Sequence, residues 1–164
     1  MRGASYWGSG GLSTCLSLRS METGTRVTRL DHDSPERFVT LRRDLGVSSF
    51  GMNQIVLRPG ERGRIHAHEH QEEVFVVLRG TLTIEIEGEE RDLGVDEVIR
   101  VAPELRRRIL NRGPGVCSVL ALGGAGAHEG RDALAYADWD DADPRPPQQV
   151  PLPEDLPASE LRTA

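Results

Sequence analysis

The stretch GERGRIHAHEHQEEVFVVLRG, from Gly60 to Gly80, decides how this chain is read. Its first half sets His66, His68 and His70 at alternate positions, and its second half follows Glu73 with the apolar run Val74 to Leu78. On an extended strand, residues two apart share a face, so His66 and His68 point the same way. Glu73 then arrives from the next strand across a short bend. Two imidazoles and a carboxylate converging from one side suit a divalent ion and leave coordination positions open for water or substrate. His70 has the same parity if the strand stays regular, which makes it a reserve ligand.

Working outward, short apolar or alternating runs recur between Arg26 and Gly124: Phe50 to Leu57, Glu73 to Leu78, Thr81 to Glu87, Glu97 to Ala102, Arg107 to Asn111 and Val116 to Leu122. Turn residues separate them at Arg58-Pro59-Gly60, Arg79-Gly80, Glu87-Gly88-Glu89 and Asn111-Arg112-Gly113-Pro114. Regularly spaced short strands with such turns predict an all-β sandwich or barrel. The run Thr81 to Glu87 predicts one face of Leu82, Ile84 and Ile86 on the core, with Thr81, Thr83, Glu85 and Glu87 in water. Ser34 to Asp44 reads two ways: a short helix with Ser34 as N-cap and Pro35 in its first turn, or a strand through Phe38 to Leu41. By strand parity Met52, Gln54 and Phe75 either line the cavity or belong to the core.

The spacing from Gly60 to Gly80 closely resembles the first motif of the cupin superfamily: Gly, five residues, His-x-His, three or four residues, Glu, six residues, Gly. Gly60, His66, His68, Glu73 and Gly80 occupy its positions. The resemblance extends in a general way over about residues 46 to 123. It implies an antiparallel jelly-roll barrel, a double-stranded β-helix, with a metal inside its wider end. The second cupin motif is matched only in part: Gly94 and Pro103 fit loosely, Leu105 stands where a Gly is usual, Asn111 is present, and Arg107 falls at the family's fourth-ligand position. A guanidinium offers donors only and stays protonated, so Arg107 is not a ligand. Three outcomes stay open: His70 completes the site, Arg107 binds the anionic group of a ligand resting on a three-ligand metal, or the metal has been lost and a polar pocket remains.

Composition bounds the rest. Residues 1 to 127 hold seventeen Arg against seventeen Asp plus Glu, whereas 128 to 164 hold three against nine, so the net charge of −6 belongs to the tail. That balance argues against nucleic acid as a partner. Two cysteines, Cys15 and Cys117, make no disulfide framework. Cys117, within an apolar run, reads as a small buried hydrophobe, and His128 is assigned no role. No apolar run approaches the length of a membrane span, so a cytoplasmic location without membrane contact is expected. The expected organisation is a disordered leader over 1–24, with Met21 a candidate start, a barrel over 25–127, and an acidic Pro-rich tail over 128–164. The tail is expected to stay mostly disordered, with at most Tyr136 and Trp139 docking locally.

Cupins serve many chemistries, and the fold does not select among them. The expected function is a small metal-binding cupin in which His66, His68 and Glu73 hold Fe, Mn, Ni or Zn and act on a small anionic metabolite by oxygenase-type or isomerase-type chemistry. Arg107 orients the anion, Gln54 and Phe75 line its site, and no catalytic residue is assigned. The rival is a non-catalytic cupin that binds a small molecule at a degenerate metal site. By resemblance, the assembly is a homodimer.

Overall fold

The alternating runs become strands in the computed structural model, which describes residues 24–124 and 132–163. Most of the leader, with Cys15 and Met21, and also His128 lie outside the described residues. In chain order the elements are β1 (Phe38–Val39), α1 (Leu41–Leu45), β2 (Gly51–Leu57), β3 (Ile65–His68), β4 (Glu72–Arg79), β5 (Leu82–Ile86), β6 (Glu89–Leu93), β7 (Val98–Val101), β8 (Arg107–Leu110), β9 (Cys117–Gly124) and β10 (Ala133–Tyr136). Short 3-10 turns follow at Pro147–Gln149 and Ala158–Glu160. The strands form two antiparallel five-stranded sheets, ordered β1-β2-β9-β4-β7 and β10-β3-β8-β5-β6. This is the jelly-roll architecture that the motif implied.

Between the sheets lie Ile55, Leu57, Phe75, Val77, Leu82, Ile84, Leu93, Val101, Ile109, Cys117, Val119 and Ala121. Each comes from a strand whose alternate residues point inward, so period-two patterning builds the core directly. Burial pushes the Cys117 thiol up to about 12, which fits an inert apolar filler. The segment that read two ways does both in turn. Phe38 and Val39 pair with β2, and Leu41–Leu45 then form a single helical turn closed by Gly46 at φ 71°. Ser34 caps no helix; its Oγ accepts from the Glu36 amide in a local turn.

Two motif glycines have backbone reasons. Gly80, between β4 and β5, sits at φ 75°, and a Cβ there would meet the Val116 carbonyl oxygen at 2.6 Å. Gly60 sits at φ 87°, and a Cβ there would meet the Leu156 carbonyl oxygen at 3.1 Å. Both positions combine a left-handed φ with a close backbone neighbour, which only glycine accommodates without strain.

The structure corrects two expectations. Thr83 and Glu85 on the outer face of β5 are buried rather than wet. Thr83 Oγ1 donates to Asp92, Glu85 pairs with Arg108, and the Arg108 guanidinium lies 5.7 Å from the centre of the Trp139 ring. The cover comes from the C-terminal segment, whose described residues 132–163 pack against the barrel instead of staying free. β10 extends the second sheet beside β3, Val150 and Leu156 are buried, and Tyr136 stacks under Arg106 at 4.0 Å. The prolines stop this segment from continuing as a regular strand. They leave its carbonyls available, and Arg62 and Arg64 on the barrel donate to those of Glu154 and Val150.

Candidate metal centre

β3 and β4 bring the three predicted ligands together. His66 stands opposite Arg107 in the β3–β8 register, so His66 and His68 share the inward face of β3 while buried Ile65 and Ala67 take the other, and the two rings are 5.4 Å apart and nearly perpendicular. Glu73 lies near the start of β4 and turns its carboxylate toward both: Oε2 is 3.3 Å from His66 Nε2 and 3.9 Å from His68 Nε2. The candidate ligand atoms of the three residues all lie within 4.8 Å of one another. Ligands held about 2.1 Å from a common ion stand roughly 3.0–3.4 Å apart, so the cluster needs little adjustment to hold one.

Hydrogen bonding supports the same reading. His66 Nδ1 lies 3.2 Å from the Arg64 carbonyl oxygen and can act only as a donor there. In the neutral ring this leaves the Nε2 lone pair facing the Glu73 carboxylate, an arrangement that calls for a cation between them, either a proton or a metal. Burial alone would raise the Glu73 carboxyl, but the His66 hydrogen bond and the charges of His66, Arg107 and His68 hold it down to about 2. Burial pushes His68 down to about 4, opposed by Glu73 and reinforced by Arg107 and His66. An ionised carboxylate beside a readily deprotonated imidazole is the protonation state that metal binding requires.

Arg107 stands opposite His66 in the β3–β8 register and is fully enclosed. Its Nε donates to Glu73 Oε2 at 3.2 Å, and Nη1 donates to the carbonyls of Pro103 and Leu105. Buried Nη2 has no hydrogen-bond partner among the described residues. The side chain therefore does point into the barrel, but it lies against Glu73 rather than at the cavity wall where a substrate anion would meet it. The nearer carboxylate has captured it.

His70 does not join the cluster. β3 ends at His68 and the chain bends through Glu69 and His70, so the alternating parity stops. The exposed His70 ring turns to Asp132, with Nδ1 3.1 Å from Oδ1. Glu69, His70 and Asp132 form a second group of potential ligands at the rim. Burial would raise the Asp132 carboxyl, but hydrogen bonds from the Gln71 and His70 amides and the His70 ring hold it below the usual range.

Gln54 corrects another expectation. Its strand neighbours Ile55 and Leu57 face the core side, and Gln54 turns the other way to pair with the Asp31 backbone and Ser118. Phe75 is a core residue, one of the two readings its parity allowed. A cavity of about 810 Å³ opens onto His68 and Glu73. Apart from Met52, its other walls were not foreseen from sequence: Asn53, Gln71 and Leu122 from the barrel, Arg42 from α1, and Asp132, Leu134 and Pro147 from the C-terminal segment. No local signal marks the last group, because these residues reach the cavity only through the pairing of β10 with β3.

Comparison with known proteins agrees with the architecture. Residues 53–123 match the family profile Cupin_2, described as a cupin domain. Over 69 residues the chain is 33% identical to "Polyketide synthase CurC" of Streptomyces cyaneus, a match covering 42% of this chain and 45% of that protein. The chain spans under half the length of the curated relatives it matches. Among solved structures, a cupin protein from Bacteroides fragilis superposes with a TM-score of 0.55 at 22% identity, covering 66% of this chain and 92% of the other. A sugar phosphate isomerase of the cupin superfamily from Silicibacter pomeroyi gives a TM-score of 0.55 at 22% identity, covering 71% and 79%. At that identity the likeness concerns the fold. Among the described residues no helix is long and apolar enough to cross a membrane. With two antiparallel jelly-roll sheets around a His/His/Glu cluster and a family profile matched over residues 53–123, that central segment is a cupin domain.

Proposed function

We propose that this cupin holds a divalent metal, Fe, Mn, Ni or Zn, on His66, His68 and Glu73 and acts on a small anionic metabolite in the adjoining cavity. The observation carrying this reading is the convergence of His66 Nε2 and His68 Nε2 on a single Glu73 oxygen beside a cavity of about 810 Å³. A metal bound there supplies Lewis acidity or an oxygen-activating centre, suited to isomerase-type or oxygenase-type chemistry.

The charge balance selects the ligand class. Glu73 is already compensated by Arg107 at 3.2 Å, so a divalent ion leaves the centre with an excess of two positive charges. Uncompensated charge in a partly desolvated site is costly, and an anionic ligand removes that cost. Arg107 thus favours an anion through its field while its guanidinium stays against Glu73. The cavity wall mixes apolar Met52, Leu122 and Leu134 with polar Asn53 and Gln71, which fits a small oxygen-bearing carbon compound. The likeness to a protein named as a polyketide synthase is the reason to include enolised polyketide-type carbonyl compounds among the candidates.

One observation favours a second reading. The Glu73–Arg107 pair is balanced without any metal, which would suit a non-catalytic cupin that captures its ligand by charge and shape alone. Metal content per chain, measured by plasma mass spectrometry on wild-type protein and on His66→Ala/His68→Ala, separates the two. Near-stoichiometric metal that disappears in the double variant is the expected result. Negligible metal in both after reconstitution overturns the metal reading and leaves the binding protein.

A further inference from the structure

We propose that Asp132, which lies outside the 53–123 family match, is the positioning residue for His68, holding its ring so that Nε2 faces the metal position. The inference rests on the metal reading above and adds a contribution from the C-terminal segment to the centre.

The geometry starts from an unpaired atom. His68 Nδ1 is buried and, among the described residues, has no hydrogen-bond partner that satisfies normal geometry. The acceptor beside it is Asp132 Oδ2 at 3.4 Å. On the other side of the ring Nε2 looks toward Glu73. A histidine that ligates through one nitrogen generally donates its other N–H to a carboxylate or a carbonyl, which fixes both tautomer and ring orientation. His66 has such a partner in the Arg64 carbonyl, and Asp132 is placed to be the equivalent for His68.

Asp132 is itself firmly held. Its side chain is 1% exposed, and its carboxylate accepts from the Gln71 amide at 2.8 Å and from the His70 amide at 3.2 Å. The backbone fixes its approach, because Ala133 pairs with His68 in the β10–β3 register and the Glu69 amide donates to the Asp132 carbonyl. Amides of the bend after His68 therefore grip the carboxylate that faces the His68 ring. These holds come from backbone amides, so the carboxylate keeps its place beside His68 without help from the exposed His70 ring.

The test uses the full chain with Co²⁺ as the probe, titrated spectroscopically, together with ¹⁵N histidine spectra of metal-free protein that read the His68 tautomer. In wild type His68 should carry its proton on Nδ1. Asp132→Asn should shift the tautomer toward Nε2–H and weaken Co²⁺ binding by about 10- to 100-fold. His70→Ala, which leaves the Asp132 contact with His68 in place, should bind Co²⁺ as wild type does. An Nε2–H tautomer in wild type overturns the inference without reference to any variant, and so does unchanged Co²⁺ affinity in a folded Asp132→Asn protein. Wild-type protein that binds no Co²⁺ fails the metal reading itself.

Discussion

His66, His68 and Glu73 inside the barrel and Glu69, His70 and Asp132 at its rim both combine histidine with carboxylates, and four of the six residues fall within five positions on β3 and its exit bend, yet their polar atoms are committed differently. In the interior group the imidazole Nε2 atoms and the carboxylate face each other, the Arg64 carbonyl and Arg107 bond the outer sides of His66 and Glu73, and Asp132 lies 3.4 Å from His68 Nδ1. In the rim group the carboxylate is occupied by backbone amides and the His70 ring is open to solvent. Residue identity alone therefore does not define a metal centre. What distinguishes the two is where the lone pairs are already committed.

The largest expected effect comes from breaking the interior group's charge balance. Arg107→Ala leaves Glu73 buried without its cation and should destabilise the metal-free protein by about 3–5 kcal/mol in chemical denaturation. Adding Glu73→Gln to that variant should recover part of the loss, because the uncompensated charge is then gone. Additive losses in the double variant would show that the two side chains are not coupled.

Acid should separate the groups next. His68 is held at about 4 in the folded protein against an ordinary 6.5, so the unfolded chain binds its proton first. Its contribution is fully present above pH 6.5 and is lost as pH falls toward 4, by an amount of about 3 kcal/mol. Glu73, held at about 2, adds a further loss between about pH 4.5 and 2. Thermal unfolding of metal-free protein should therefore weaken from pH 6.5 downward, and bound metal should move that onset to lower pH by competing with protons. A flat profile between pH 6.5 and 4 would mean that His68 is not held neutral. The smallest effect is expected at the rim: His70→Ala should change stability by less than about 0.5 kcal/mol, since its exposed ring loses only a solvated contact.

The interior group was legible in the sequence because its parts are close along the chain: period two places His66 with His68, and a fixed spacing delivers Glu73. The rim partner was not, because Asp132 is 62 residues beyond His70 and meets it only when β10 docks. Strand β6 escaped notice for another reason. Glu89 to Asp92 are all exposed, so no apolar alternation marks them. Gln54 was assigned to the cavity by parity, but the inward frame on β2 belongs to Ile55 and Leu57. The packing of the tail was hidden because hydropathy does not register carbonyls satisfied by arginines on a neighbouring surface.

The hydrogen bond from the Leu156 amide to the Gly60 carbonyl joins the end of the chain to the first residue of the metal-site motif. The unit that folds is consequently longer than the segment that carries the family signature. A chain cut back to residues 24–124 would lose the cover over Thr83 and Glu85, one wall of the cavity and the carboxylate beside His68 together. Exchanging this extension for another would replace that wall of the cavity and the carboxylate beside His68 as one part, while leaving every signature residue in place.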